Sequence, residues 1–453
     1  MSRKSEVLRF FEAHRDYAEE RIKSGIELYR KGAAEISVTL DGKPFDGRVK
    51  ITQKNHEFRF GANLFMLGEF ENETKNELYK EKFAKVFNLA TLPFYWDTLE
   101  PEKGKPRFAK DSPPIYRRPP IDLCMEYCEK TGIEPKAHCL NYDMFTPAWA
   151  HDLTVPEFKK ALSRRMRVLA ERYADRIPSW EVTNETFSLS KGRNPTKFYY
   201  EDDFLAWSYR TADRFFPENH FIINDYMMWD MIADGANRDA ATTNRARYYM
   251  QIERLLRDGT HIDSIGMQYH NFFDRASEPV RAAERYNPVH LYKELDNYAK
   301  LGKRIQITEM TVPAYSEGGD DEEVQAELLY NTYRVFFSHP AMEAIIYWNL
   351  VDGYAYSKNL SGRAAIGNME TGENAYHGGL LRFDLSEKPA FCVLDHLFHK
   401  EWHTELKREV RDGRLAFRGF YGDYDITFEK DGKLYTKTVS LSRDTKNVFS
   451  LDL

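Results

Sequence analysis

Cysteine is scarce in this sequence, with 4 residues among 453, and no apolar run approaches the roughly 18 residues that a membrane-spanning helix needs. Four thiols are too few for a disulfide-stabilised scaffold. Cys124 and Cys128 have no further ligands at the spacing of a zinc site, so we interpret them, with Cys139 and Cys392, as structural thiols. The first segment, MSRKSEVLRFFEAHRDYAEE, lacks the apolar core and cleavage site of a signal peptide. We therefore expect a cytoplasmic protein without a membrane partner.

Neither sign of charge dominates, because 65 Lys and Arg residues face 71 Asp and Glu residues and leave a net charge of −6. The clustered positive charge of a nucleic-acid-binding protein is missing, so we expect no nucleic-acid partner. The chain does contain 42% apolar residues, enough for a large core, and a high 14% of aromatic residues. Flat rings with polar edges make good walls for a ligand with apolar faces and polar rims. The composition thus favours a globular protein and suggests a sugar as a ligand to test.

The N-terminal region predicts a helix followed by two strands. Apolar residues recur with helical spacing over residues 5–32, and Gly32 is typical of a helix end. Segments 34–40 (AEISVTL) and 47–53 (GRVKITQ) alternate between apolar and polar residues around DGKPFDG. This pattern predicts a β-hairpin-like pair.

From residue 56 onward, short apolar runs alternate with long amphipathic segments, and this alternation occurs eight times. Eight βα units in order predict a closed parallel (β/α)8 TIM barrel of the α/β class. The competing class, an open doubly wound sheet, needs a glycine fingerprint after its first strand, which GANLFMLG does not supply. The predicted strands are 56–64, 87–96, 134–142, 179–185, 220–226, 264–270, 304–310 and 344–352.

After residue 403 the pattern changes to short alternating segments separated by DG and GD turns, which predicts a small antiparallel β module. About fifty residues are marginal as an independent core. We therefore hypothesise that segment 35–54 joins this tail in one accessory β-sandwich beside the barrel. The predicted organisation is an N-terminal helix in 1–34, a β segment in 35–55, the catalytic barrel in 56–402 and the C-terminal β module in 403–453.

Polar side chains follow the predicted barrel strands at their carboxyl ends, where the active sites of such barrels form. Burying polar groups unpaired costs a few kcal/mol each, so their presence at the mouth of an apolar barrel is informative. They are His138 after the third strand, Asn184 and Glu185 after the fourth, Asn224 and Asp225 after the fifth, Gln268 and His270 on the sixth, Glu309 on the seventh, and Trp348 and Asp352 on the eighth. We interpret Asn224, Asp225 and Asp352 as structural or hydrogen-bonding supports.

Glu185 and Glu309 carry the chemical hypothesis, because one carboxylic acid and one carboxylate across a pocket suffice to cleave a glycosidic bond. A glutamate in an apolar wall can stay protonated and donate its proton, while its partner must stay ionised. Asn184 directly precedes Glu185, so both face one site only if a bulge re-aims one of them. Gln268 and His270 are two residues apart and share a strand face. Retention requires carboxyl groups roughly 5–5.5 Å apart and inversion a wider gap, and the sequence leaves this open.

Several of these segments resemble one known family, glycoside hydrolase family 10, which consists mostly of retaining endo-β-1,4-xylanases. Segment 180–185 (WEVTNE) looks like its acid/base strand, and 307–309 (ITE) is similar to its nucleophile strand. Further matches in the right order are 224–226 (NDY), 265–270 (IGMQYH), Trp348 with Asp352, and 388–390 (KPA). The likeness spans about residues 56–400, and it rests on six short matches in register rather than on one motif.

The resemblance implies that Glu185 is the acid/base and Glu309 the nucleophile. It implies that Asn184 binds the 2-hydroxyl of the sugar and that His270 hydrogen-bonds to the nucleophile. It also places His138, Gln268 and Trp348 along the −1 subsite.

The chain departs from the family at the surface that binds the glycone. Leu92 and Tyr95 stand where the family has an asparagine and a lysine that reach toward the −2 sugar. Tyr142 and Tyr356 stand where the family has tryptophans. The loss of hydrogen-bonding groups changes specificity steeply. We therefore include Tyr95, Tyr142 and Tyr356 among the candidate substrate-binding residues and leave the identity of the sugar open.

The leading hypothesis is a retaining glycoside hydrolase that cleaves β-linked xylan-type oligosaccharides by double displacement. This chemistry needs no metal or organic cofactor, and no HxH or HExxH pattern predicts a metal site around His138 or His270. Two long connections, 101–122 and 353–387, are expected to narrow the cleft and to favour oligosaccharides or aryl glycosides over polymers. Two alternatives stay open: an exo-acting or aryl-β-glycosidase on a different sugar, and a non-catalytic carbohydrate-binding barrel.

Overall fold

The computed structural model describes residues 2–187, 196–226, 229, 242–357 and 362–453 of the chain. The strands are β1 (Lys31–Leu40), β2 (Lys43–Pro44), β3 (Gly47–His56), β4 (Arg59–Asn63), β5 (Leu89–Pro93), β6 (Glu134–His138), β7 (Ser179–Asn184), β8 (His220–Asp225), β9 (Ser264–His270), β10 (Arg304–Thr311), β11 (Met342–Tyr347), β12 (Glu405–Val410), β13 (Arg414–Phe420), β14 (Gly422–Lys430), β15 (Lys433–Leu441) and β16 (Val448–Asp452). The helices are α1 (Arg3–Ala13), α2 (Arg15–Tyr29), α3 (Glu73–Val86), α4 (Trp96–Leu99), α5 (Ile121–Thr131), α6 (Val155–Tyr173), α7 (Phe204–Asp213), α8 (Arg247–Arg257), α9 (Glu278–Arg285), α10 (Pro288–Ala299), α11 (Gly319–Ser338) and α12 (Pro389–His396).

The N-terminal region forms two helices, so the predicted single helix over 5–32 is wrong. The backbone leaves helical geometry at His14, with φ −122° and ψ 22°. The break lets Phe11 of α1 and Ile22 of α2 both reach the core of the barrel. Gly32 does not end a helix but lies in β1, where a Cβ atom would come within 2.4 Å of the Tyr421 ring. Close packing, and not a helix stop, accounts for this glycine.

Strands β4 to β11 close into a parallel barrel in chain order, with β11 pairing back to β4. The predicted eight-stranded TIM barrel is therefore confirmed. Six of the eight strands end before the predicted position, and buried residues such as Leu64, Phe94 and Leu140 follow them in the loops of the mouth. Apolar strand residues such as Ile265, Ile307 and Ile345 are fully buried in the core. The barrel thus brings the carboxyl ends of all eight strands to one rim.

Local sequence signals set where several of the surrounding helices begin. The Asn72 side chain accepts a hydrogen bond from the backbone N–H of Lys75 and caps α3. Thr154 and Glu157 form a reciprocal capping box at the start of α6. The first turn of α11, which begins at Gly319, contains three acidic residues that complement the helix dipole.

The accessory module is a β-sandwich built from both ends of the chain. One sheet has the order β13-β1-β16, with β2 added to β1, and the other has the order β12-β3-β14-β15. The predicted hairpin-like pair is wrong, because β1 and β3 lie in different sheets and only the two-residue β2 pairs with β1. The C-terminal module is also not wholly antiparallel, since β16 runs parallel to β1. The crossing from β1 to β3 buries apolar residues of both sheets in one shared cluster, which a simple hairpin could not do.

Glu69, in the loop after β4, is a buried carboxyl group without a closely paired positive charge. Its side chain is 6% exposed, and the nearest cation, Nη1 of Arg363, lies 3.7 Å from Oε2. Burial raises the pKa of Glu69 to about 7, against a partial opposing effect of Arg363 and Arg107. The unfolded chain ionises at a lower pKa, so this group costs stability that is nearly absent at pH 4, grows as pH rises from the pKa of the unfolded chain to about 7, and levels off above it.

We expect Glu69→Gln to leave the free energy of unfolding unchanged at pH 4 and to raise it by on the order of 2 kcal/mol at pH 8. Urea denaturation at the two pH values measures the difference. Glu81→Gln is the control, because Glu81 lies exposed on α3 and gives up no buried charge. Equal stability of the wild type and Glu69→Gln at pH 8 would contradict the buried-charge interpretation.

Candidate active site

A pocket of about 430 Å³ opens at the carboxyl ends of the barrel strands. Nine of the ten sequence-predicted site residues line it: Tyr95, His138, Tyr142, Asn184, Glu185, His270, Glu309, Trp348 and Tyr356. The tenth, Gln268, is buried directly behind the wall and donates hydrogen bonds to two of them. Residues far apart in the chain therefore meet in one place, as the barrel topology predicts.

Glu185 faces the pocket because strand β7 is irregular. Pairing with β8 shifts register between Glu181 and Thr183, and Glu185 itself adopts a left-handed backbone with φ 49°. Its backbone N–H donates to the carbonyl of Asn224 at 3.1 Å, which holds the turn. This irregularity is the re-aiming that the Asn184–Glu185 pair requires, because a regular strand would send the two side chains to opposite faces.

Two donors hold the carboxylate of Glu185. The hydroxyl of Tyr142 donates to Oε2 at 2.5 Å, and Nε2 of Gln268 donates to Oε1 at 3.2 Å. Burial raises the pKa of the Tyr142 phenol, and the adjacent charge of Glu185 raises it further. The phenol therefore stays protonated and keeps its role as donor.

Glu309 lies deeper, with a side chain 4% exposed. The register between β9 and β10 shifts between Ile307 and Glu309, so this strand too carries a bulge at its carboxylate. Nδ2 of Asn224 donates to Oε1 at 2.8 Å, and Nε2 of His270 lies 3.0 Å from Oε2. Burial raises the pKa of Glu309, and the charges of Glu181 and Glu185 act in the same direction.

His270 is a neutral donor to Glu309. Burial lowers its pKa to about 4, so near neutral pH the imidazole carries a single N–H. Nε2 faces the carboxylate of Glu309, which can only accept, and Nδ1 lies 3.1 Å from the hydroxyl of Thr311. When Glu309 is ionised, this arrangement places the proton on Nε2, with Nδ1 accepting from Thr311.

Asn224 connects the surroundings of Glu185 with those of Glu309. It therefore does more than the structural support that the sequence predicted. Its Nδ2 lies within hydrogen-bond distance of Asn184 Oδ1 (2.7 Å) and Glu309 Oε1 (2.8 Å), and Oδ1 accepts from the Thr308 hydroxyl at 2.5 Å. Gln268 donates to both Asn184 and Glu185. A continuous hydrogen-bonded chain thus links one glutamate to the other.

The other predicted supports also make buried contacts. Asp225 accepts from the backbone N–H and the hydroxyl of Thr186, at 2.8 and 3.1 Å. Burial raises the pKa of Asp225 to about 7. Asp352 pairs with the fully buried Lys388 and accepts from the backbone N–H of Gly379 at 2.7 Å. Neither of these two carboxyl groups lines the pocket.

A buried ion-pair chain beneath the pocket was not anticipated from the sequence. Lys136 pairs with Glu181, whose other oxygen contacts Nδ1 of His138, and both ionic side chains are fully buried. Burial alone would raise the pKa of Glu181, but Lys136 and His138 lower it overall. His138, Glu181 and Glu309 are also the group of metal-ligating type found among the described residues, with ligand atoms within 4.8 Å of one another. Lys136 already supplies a positive charge to this cluster.

Aromatic rings build the apolar wall of the pocket. Trp348 packs edge-on against Phe65 with ring centroids 5.2 Å apart, and Phe65 packs against Tyr95 at 5.8 Å. His138 and His270 stand edge-on to Trp348 at 5.4 and 5.8 Å. Such a wall suits the apolar face of a sugar ring, with polar groups converging from below.

The two long connections meet over the pocket and supply residues that the sequence did not single out. Nη1 of Arg117 donates to the carbonyl of Tyr354 at 2.6 Å, and Nη2 donates to Oδ1 of Asn349 at 2.9 Å. Unanticipated lining residues are Phe65, Arg117, Arg118, Met144, Phe145, Phe272, Gly372, Glu373 and Tyr376. The basic pair in segment 101–122 was a visible signal, but its inward orientation depends on the left-handed backbone of Arg117 at φ 60°.

Comparisons with known proteins bear on this arrangement. A family profile described as "Glycosyl hydrolase family 10" matches residues 52–382. "Anti-sigma-I factor RsgI6" of Acetivibrio thermocellus is 24% identical over 440 residues, covering 94% of this chain and 48% of that protein. "Endo-1,4-beta-xylanase 1" of Arabidopsis thaliana is 25% identical over 429 residues, covering 91% and 38%. The chain therefore spans less than half the length of these two relatives.

A shorter relative and two solved structures are also similar. "Endo-1,4-beta-xylanase B" of Thermotoga neapolitana is 25% identical over 311 residues, covering 66% of this chain and 78% of that protein. Xylanase 10B from Thermotoga petrophila, solved with xylobiose, superposes with a TM-score of 0.57 at 22% identity, covering 76% of this chain and 95% of that chain. Native xylanase 10B from Thermotoga maritima gives a TM-score of 0.57 at 21% identity, covering 76% and 96%. These structures share the fold. Among the described residues, no helix has the length and apolar character to cross a membrane.

Proposed function

We propose, from the fact that the chain belongs to glycosyl hydrolase family 10, that it is a retaining glycoside hydrolase acting on β-linked, xylan-type oligosaccharides. The observation that carries the proposal is the placement of Glu185 and Glu309 on one pocket, joined through Gln268, Asn184 and Asn224. Two carboxyl groups that share a pocket can divide the acid and nucleophile roles of glycosidic cleavage.

In the proposed first step, an oxygen of Glu309 bonds to the anomeric carbon while the bond to the leaving oxygen breaks. Glu185 gives its proton to that oxygen. In the second step, water transfers a proton to Glu185, its oxygen bonds to the anomeric carbon, and Glu309 is released. The neutral His270 and Asn224 supply N–H donors to Glu309, which stabilise its carboxylate in the free enzyme and as it leaves.

The remaining pocket residues are proposed to bind the sugar. Asn184 faces the site between the two glutamates, in a position suited to a hydroxyl neighbouring the anomeric carbon. Trp348 offers a ring face or edge to the sugar at the barrel mouth, and His138 stands beside it. Gln268 holds Glu185 and Asn184 in place from behind. Tyr95, Tyr142 and Tyr356 complete the wall.

Product stereochemistry and substrate length test the proposal. Proton NMR during hydrolysis of xylo-oligosaccharides is expected to show the β-anomer as the first product. The contact of the two long loops through Arg117 limits the cleft, so kcat/KM is expected to level off beyond a trimer. An α-anomeric first product would overturn the retaining assignment, and a strong rise with polymer length would overturn the narrow cleft.

An exo-acting or aryl-β-glycosidase on a different sugar is the second candidate. The observation that favours it is the same Arg117 bridge, together with Tyr95, which lines the pocket just after β5 in place of a lysine of the family. A panel of p-nitrophenyl β-glycosides of several sugars separates the candidates. Cleavage of one aryl glycoside with no internal cleavage of xylo-oligosaccharides would favour the second.

A further inference from the structure

Arg118 is a buried cation in the pocket that has no acidic partner within the part of the chain that the structure describes. The residue is 8% exposed and lines the pocket together with Glu185 and Glu309. No carboxylate of the described residues forms an ion pair with it. Its Nη1 donates to the carbonyl of Arg117 at 2.8 Å, its Nε has no hydrogen-bond partner, and no acceptor among the described residues contacts Nη2. A buried charge left in this state is costly unless a ligand completes it.

Two other buried arginines, Arg165 and Arg30, are held by backbone carbonyls of the protein itself. Arg165 donates to the backbone carbonyls of Leu140, Phe94 and Cys139. Arg30 likewise donates to two backbone carbonyls, and neither guanidinium lines the catalytic pocket. Burial of an arginine in this fold therefore does not by itself leave the guanidinium without acceptors; Arg117, beside Arg118 on the pocket wall, also has an Nε without a partner, but both of its terminal nitrogens are bonded.

The surroundings orient the Arg118 guanidinium. Its carbon lies 3.9 Å from the centroid of the Tyr95 ring, and the rings of Phe145 and Phe65 are 5.4 and 5.5 Å away. Stacking on aromatic faces fixes the plane of the guanidinium while leaving its N–H groups available at the edge.

The other charged side chains that line the pocket have partners of their own. Arg117 is engaged by Asn349, which in turn donates to the carboxylate of Glu373 at 2.6 Å, so the charges of these two residues are linked. Glu185 and Glu309 are held by their own donors. Asp97, within electrostatic range of Arg118, does not line the pocket. Among the described residues that line the pocket, Arg118 is thus a positive charge on the Tyr95 side without an ion-pair partner.

We propose that Arg118 binds an anionic substituent on the sugar chain, a uronic acid carboxylate or a sulfate ester, so that the preferred substrate is an acidic glycan. This inference rests on the proposed hydrolase function and deepens it. A planar guanidinium pairs well with either oxyanion, and its burial beside Tyr95 strengthens the contact by excluding water. The bound anion supplies the acceptors that Arg118 lacks in the free protein.

The test compares hydrolysis of matched substrates by the wild type. These are a uronic-acid-substituted xylo-oligosaccharide, the same compound after reduction of its carboxyl group, and a sulfated xylo-oligosaccharide. We expect kcat/KM for one of the acidic compounds to exceed that of the carboxyl-reduced compound by about 10- to 100-fold, the range of a buried charge-assisted hydrogen bond. Preference for the uronate or for the sulfate identifies the source of the anion. Equal kcat/KM on all three overturns the inference.

Variants then assign the preference to Arg118. Arg118→Gln is expected to reduce the acidic-to-neutral ratio of kcat/KM by about 10-fold or more. Arg118→Lys keeps the positive charge but lacks the planar guanidinium, so it is expected to retain part of the acidic-to-neutral ratio of kcat/KM. This variant replaces Arg118→Gln in the test if the glutamine variant does not fold. Arg167→Gln is the control, because Arg167 is exposed on α6 and pairs with Glu171. An unchanged ratio in Arg118→Gln would overturn the assignment. Failure of the wild type to cleave any compound would instead reject the hydrolase function.

Discussion

Glu309→Gln is expected to reduce kcat/KM on every cleaved substrate by about 10⁴-fold or more, because an amide cannot form the covalent glycosyl intermediate. The same change is expected to leave the melting temperature equal to or above that of the wild type. Burial raises the pKa of Glu309, so its ionised form costs stability that grows as pH rises above the pKa of the unfolded chain. Removing the charge removes that cost. Initial rates and thermal unfolding at pH 7 measure the two effects.

Glu69→Gln is the matched control for this experiment. Glu69 is also a buried glutamate whose pKa burial raises, but it does not line the pocket. Its variant is expected to keep kcat/KM within about threefold of the wild type, since it alters no group in contact with substrate. Turnover by Glu309→Gln at a wild-type rate would end the proposal that Glu309 is the nucleophile and would favour a barrel whose glutamates only bind sugar.

Glu185→Ala is expected to lower kcat/KM by about 10³- to 10⁴-fold on xylo-oligosaccharides, whose leaving oxygen needs a proton. On a 2,4-dinitrophenyl glycoside the first step is expected to lose less than about tenfold, because that leaving group departs without protonation. The second step then becomes slow, since no base activates water. Burst kinetics with the activated substrate, followed by addition of azide, measure both steps. Azide, which needs no base, is expected to restore turnover and to give a β-glycosyl azide.

The two variants together separate the roles of the carboxyl groups. Each glutamate has two hydrogen-bond donors from the protein, so contacts alone do not distinguish acid from nucleophile. If Glu309→Ala, and not Glu185→Ala, showed dependence on the leaving group and rescue by azide to a β-product, the assigned roles would be reversed. An α-glycosyl azide from Glu309→Ala would support the present assignment, because azide would then replace the missing nucleophile.

Much of the barrel could be predicted from the chain alone because its signals are local and repeated. Eight apolar runs separated by amphipathic segments require only periodicity to recognise, and the polar residues at their ends follow directly. The accessory sandwich was predicted in outline, but its pairing was not. Strands β1 and β3 alternate like a hairpin, yet they join different sheets, since β13 and β14 from the far end of the chain compete for them. Alternation indicates a half-buried strand without identifying its neighbour.

The orientation of individual side chains at the site depends on distant contacts. Glu185 turns into the pocket through a register shift and a left-handed residue, neither of which has a sequence signature in Asn184–Glu185. The helix break at His14 likewise has no local signal, because neither glycine nor proline occurs near that position. Nine of the ten predicted site residues line one pocket, whereas the buried ion pair of Lys136 and Glu181 beneath it emerges only with the fold.

The sequence by itself determined the eight-unit barrel, the rim where polar groups collect and the two glutamates at that rim. The reason is that hydrophobic periodicity and strand order depend on residues that are close together in the chain. The tertiary structure decided which charges are left without partners. Lys136 is neutralised by a glutamate 45 residues away, while Arg118 is stacked on Tyr95 and forms no ion pair with any carboxylate in the described ranges. The physical reason is that the free energy of a buried charge depends on what surrounds it in three dimensions, and those surroundings come from segments that the chain brings together only on folding.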